Sequence, residues 1–140
     1  MKLWTQENLI KEGYVISNCK ITRVDLSMED HGCLTLEMVI EGDHWGFVFG
    51  GYALGHGFLG ADNFEGSAPG LESIMRIMDV VGVERFNDMK GRHIRVASKG
   101  INSSPKIIGD IIEDLWFDIE SFFADKYKEK NLKERNKFHE

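Results

Sequence analysis

Leu34, Leu36, Met38 and Ile40 recur at every second position, Glu41-Gly42-Asp43 follows, and Trp45, Phe47 and Phe49 resume the alternation. A period of two on both sides of a short glycine-bearing turn is the mark of a β-hairpin with one buried face. The chain must therefore build a sheet and cover its apolar side. Upstream, Tyr14 to Leu26 reads as a long strand through Val15, Cys19, Ile21, Val24 and Leu26, with a change of phase at Thr22-Arg23 of the kind a bulge produces. Glu29-Asp30-His31-Gly32 reads as a turn, in which Asp30 bonds backbone amides and Gly32 takes a left-handed conformation. Together these predict a three-stranded antiparallel meander.

The cover is predicted from two helical stretches. Leu71, Ile74, Met75, Met78 and Val81 form an amphipathic stripe on a helix from about Ala68 to Val81, with Pro69 in its first turn and Gly82 as its C-cap. Val83 to Lys90 fits one further turn. His93–Ala97 and Lys106–Ile112 read as two later strands around a polar loop, Ser98 to Pro105. A final helix is expected from Asp114–Asp118 to about residue 135, carrying Trp116, Phe117, Phe122, Phe123 and Tyr127 early and charge late. Leu3 to Lys11 fits a short helix or a disordered lead-in equally. The fold class is thus α+β: an antiparallel sheet, meander plus two later strands, packed by a central and a C-terminal helix. One domain of 140 residues is expected, ordered over about 14–127, with a charged tail at 128–140 fraying into solvent.

Charge narrows the partners. A net charge of −6 disfavours a DNA-backbone binder, although Lys90, Arg92, His93, Arg95 and Lys99 make a basic island. No stretch approaches the roughly 18–20 apolar residues of a membrane span, and no secretory signal opens the chain, so a cytosolic compartment is expected. In that setting Cys19 and Cys33 read as reduced thiols.

Nine of the fifteen glycines fall between Gly42 and Gly70, interleaved with Trp45, Phe47, Phe49, Tyr52, Phe58 and Phe64. The run Gly50-Gly51-Tyr52-Ala53-Leu54-Gly55-His56-Gly57, leading to a helix start at Ser67, reads as a donor-rich loop suited to an anion. Trp45, Phe47 and Phe49 either bury as core or offer a ring for stacking on a flat ligand. Arg92 and Arg95, with Arg23 and Lys99, are candidate phosphate contacts; solvated strand residues are the plainer reading. His31, Cys33, His44 and His56 lack the paired spacing of a zinc site, and no metal is expected. Asp62-Asn63 and Asp110/Glu113/Asp114 are carboxylate groups of a kind common without a cation. Glu29-Asp30-His31 comes with no nucleophile, so neither catalytic residues nor a cofactor are expected.

Glu29-Asp30-His31-Gly32 with Leu34-Thr35, Phe49-Gly50-Gly51-Tyr52-Ala53-Leu54, Ile77 to Glu84, Gly91 with Ile94-Arg95-Val96, and Ile107-Ile108-Gly109 through Asp114-Leu115-Trp116-Phe117 together resemble a family of small tailed-phage and prophage proteins. The resemblance spans about residues 14–123. Among characterised members of such families, the arrangement is most similar to the Thoeris anti-defence sponge proteins. That resemblance implies an α+β homo-oligomer in the host cytoplasm that holds a cyclic ADP-ribose isomer, or a cyclic oligonucleotide, without cleaving it. No pocket residue is carried over from that family. Read from charge, the alternative is an anti-CRISPR-like inhibitor that presents acidic surface to a host defence protein.

Overall fold

A computed structural model describes residues 1–57, 60, 62–100 and 103–139. Its elements are α1 (Gln6–Lys11), β1 (Val15–Asp30), β2 (Cys33–Gly42), β3 (Trp45–His56), β4 (Glu65–Gly66), α2 (Ala68–Val81), a 3-10 turn at Phe86–Asp88, β5 (His93–Ser98), β6 (Ile107–Gly109), β7 (Trp116–Asp118) and α3 (Ile119–His139). The seven strands form one antiparallel, curled sheet in the order β4-β3-β2-β1-β5-β6-β7. The fold is α+β, as the sequence predicts. Phe58, and Ile101-Asn102 of the polar loop, lie outside the described residues.

Register follows the alternation. Ile21, Ile40 and Phe47 share one row across β1, β2 and β3, and Arg23, Val39 and Val48 share the next, so the two rows occupy opposite faces. The irregularity between Ile21 and Arg23 falls at the anticipated change of phase. On the inner face Cys19, Ile21, Met38, Ile40, Phe49, Ile94, Val96 and Ile108 pack under α2 and α3, joined by Phe117, Phe122 and Phe123. On the outer face α1 lays Leu9, fully buried, against Ala97, Ile107 and Trp116. Of the two readings of Leu3 to Lys11, the structure has the short helix, packed onto the sheet through Leu9.

Four further expectations change. The run Gly50 to His56 is the second half of β3 and not a phosphate-binding loop. Its paired glycines, at φ +108° and +83°, make a bulge where β2 and β3 slip register, and a side chain at Gly50 would strike the Leu36 carbonyl. The later strands number three, with Trp116 and Phe117 in β7 and not in the last helix. That helix runs to His139, with the described side chains beyond Tyr127 exposed.

Helix α2 begins and ends as predicted, with Ser67 Oγ accepting from Gly70 N at 3.1 Å and Gly82 left-handed at φ +84°. Its buried line, however, is Gly70, Ser73, Ile77, Val80 and Val81, which leaves Leu71 and Met75 about 60% exposed. Gly70 explains the rotation. A Cβ there would sit 2.6 Å from Leu54 Cα, so the helix rests on β3 through its small residues.

Candidate functional site

The start of β1, the start of β3 and the end of β5 leave part of the inner face uncovered by helices. Val15, Ser17, Val96 and Ser98 form the floor, Trp45 and Phe47 one wall, and Asp43-His44 with Gly100 and Pro105 the rim of a hollow of about 410 Å³. The two rings stand 5.8 Å apart at 40° and are half-buried, backed by the main core on their far side. Trp45 reaches this position because Gly42, its cross-strand partner, has no side chain: a Cβ there would occupy the indole. Apolar walls, a few hydroxyls and a volume in the lower part of the 300–1,000 Å³ range suit a small flat molecule.

A second hollow of about 700 Å³ adjoins it and shares Ser98 and Pro105 as a common wall. Lys2, Lys99, Lys106 and Lys128 line it with Ser103 and Ser104, together with Asp118, Glu120 and Asp125. Two of those carboxylates are engaged. Asp118 accepts from Trp4 Nε1 and Ser121 N, both at 3.0 Å, and Asp125 pairs with the Met1 amino group. Lys99 holds its ammonium 4.7 Å from the centre of the Tyr14 ring. Burial, and then the nearby charges of Asp118, Glu12 and Glu120, push the Tyr14 phenol above its ordinary pKa, so it remains a neutral wall at physiological pH.

The seven residues singled out from sequence do not converge. Trp45 and Phe47 share the first hollow, and Lys99 lines the second. Phe49 is 1% exposed and belongs to the core, since its position in the middle of β3 puts it beneath α2 and α3. Arg95 is engaged within the fold. Its Nε donates to Asp110 O at 2.7 Å, and its two terminal nitrogens donate to Gln6 Oε1 at 3.1 Å and Glu113 O at 2.9 Å. Its guanidinium also stacks on Trp116 at 4.7 Å, so every nitrogen serves the fold. Arg23 lies on the outer face, opposite Phe47. Arg92 precedes β5 at the end remote from Ser98, roughly 13 Å by strand rise from Val96, the nearest floor residue on that strand.

The polar clusters resolve into structural work. Asp110 Oδ1 accepts from the amides of Ile112 and Glu113, and Asp114 Oδ1 from Gln6 N and Trp116 Nε1. His31 and Gly32 turn the first hairpin at φ +52° and +77°, and the Asp30 carboxylate meets the His31 ring at 2.9 Å instead of backbone amides. Among the described residues no group of three or more His, Cys, Asp or Glu is placed to hold a metal ion. Both cysteines are free thiols.

Comparison with known proteins gives no match to any family model, any curated protein or any solved structure. Function therefore has to be argued from the hollows themselves. None of Val15, Ser17, Val96 and Ser98 is a candidate binding residue from sequence, yet each occupies an inner-face position that strand alternation alone would mark.

Proposed function

We propose that this chain is a binding protein that holds a nucleotide-type ligand intact, as the sponge proteins it resembles do with a cyclic immune signal made by a phage's host. A flat base sits against Trp45 and Phe47, and the anionic part crosses Ser98 and Pro105 toward Lys99, Lys106, Ser103 and Ser104. The observation that carries this reading is the pairing of an aromatic-walled hollow with a lysine- and serine-lined one across a shared wall. Stacking supplies attraction for the ring, and ammonium and hydroxyl groups suit phosphate oxygens. Arg23, Arg92, Arg95 and Phe49 have no part in it.

The test is to incubate the protein with cyclic ADP-ribose isomers and cyclic oligonucleotides, then denature by heat and assay what is released. Intact ligand at stoichiometric yield supports capture, whereas a converted product would indicate an enzyme. Trp45→Ala and the pair Lys99→Ala with Lys106→Ala should each weaken binding about tenfold or more. Retention of full affinity in both would refute the assignment. A second reading, an inhibitor directed at a host defence protein, is favoured by the gathering of Asp25, Glu29, Asp30 and Glu37 near the first hairpin. It predicts no small-molecule binding at all.

A further inference from the structure

The two edges of the sheet are treated differently. At one end β7 is only three residues long, all buried, and the segment before and within α1 is tied to its surroundings. Trp4 Nε1 donates to Asp118, Gln6 N to Asp114 and Lys2 N to Ser121. Shortness and cover are usual ways of disarming a sheet edge. At the other end β3 runs twelve residues, Trp45–His56, while β4 pairs only with Gly55 and His56. Ser67 N reaches Leu54 O, and among the described residues no strand pairs with the outer side of Trp45–Ala53. Every second residue of such a strand turns its N–H and C=O outward.

This open edge also lacks the side chains that normally guard one. No Asp, Glu, Lys, Arg or Pro occurs from His44 to Ala61, eighteen residues in a chain that is 29% charged. Val48, midway along the open stretch, is 48% exposed on the outer face. We infer that the outer edge of β3 is the self-association surface of this protein: it pairs antiparallel with β3 of a second copy, joining two seven-stranded sheets into one across a two-fold axis near Val48. An antiparallel strand edge is complementary to itself under a two-fold rotation. The absence of charge favours a second copy as the occupant, because a strand that meets its own sequence meets no like charge. A strand selected for a different partner has no such need to be charge-free.

Light scattering on the whole chain tests this, with 16.0 kDa expected for a single copy and twice that for the pair. Hydrogen exchange on the unmodified protein should show amides of residues 45–53 gaining protection as concentration rises. Val48→Lys and Val48→Glu each place like charges across the axis and should raise the dimer dissociation constant roughly tenfold or more, while an equimolar mixture of the two restores pairing. Far-UV circular dichroism and thermal melting establish that both variants fold. The inference is overturned if the unmodified chain stays monomeric through the micromolar range. It is equally overturned if a dimer forms without protection at 45–53, if neither charge alters its affinity, or if that protection appears only with a different protein. None of these readouts involves a nucleotide, so they stand apart from the ligand assay.

Discussion

Arg95 shows how one side chain can look like a ligand contact and prove to be a joint. It links β5 to the turn after β6 and to α1, and it covers the Trp116 ring. Removing it by Arg95→Ala should destabilise the fold by about 2–3 kcal/mol in urea denaturation, the scale of a lost charged hydrogen-bond set and cation–π contact. Arg95→Lys should recover less than half of that, because one ammonium cannot reach three diverging acceptors. Cys19 makes a pH-dependent contribution. Its thiol is sealed beneath the helices, donates to Ile94 O at 3.7 Å, and is pushed up to about 12 by burial. The unfolded chain ionises this thiol near 9 while the folded chain holds it neutral, so its stabilising contribution is complete below pH 9 and disappears as pH rises toward 12. Cys19→Ala should flatten that alkaline decline, measured as unfolding free energy against pH. In the native protein a thiol reagent should modify the half-buried Cys33 and spare Cys19 until denaturation.

Among the elements, α2 separates packing from hydrophobicity. Ile77→Ala should cost about 2–5 kcal/mol, whereas Leu71→Gln with Met75→Gln should change stability by no more than about 0.5 kcal/mol, both read from denaturant midpoints. The boundaries of this helix were legible because Ser67, Pro69 and Gly82 have conformational meanings independent of context. Its rotation was not, because a hydrophobic stripe gives no weight to Gly70 and Ser73, the residues that let the helix approach β3. Strands β1, β2 and β5 were legible from alternation, but β6 and β7 are too short to establish a period. Trp116-Phe117 merged with Phe122-Phe123 into an apparent helix for that reason. The later end of the expected start, Asp118, is where the helix is capped, its carboxylate accepting from Ser121 N. The glycine run misled in the opposite sense: glycine suggests a loop, yet a bulged strand needs it just as much. For the hollows, Trp45 and Phe47 were found by residue type, while the arginines were assigned by charge, which says nothing about which face of a strand a side chain takes.

Across the whole molecule, charge is divided along the chain. Residues 1–125 hold eleven basic and twenty acidic side chains and residues 126–140 hold six and three, leaving −9 on the body and +3 on the last stretch. Since the side chains from Lys128 to Lys137 are exposed, truncation after Lys128 should leave the thermal unfolding free energy within about 0.5 kcal/mol of the full chain. No helix is long and apolar enough to cross a membrane among the described residues. The clasp of residues 2–6 on 114–121 has a consequence for the order of assembly. Because β6 and β7 come late in the chain, α1 has no finished surface to settle on until synthesis has passed residue 118. On the ribosome, then, α1 waits as a loose strap until the strands it clasps have been made.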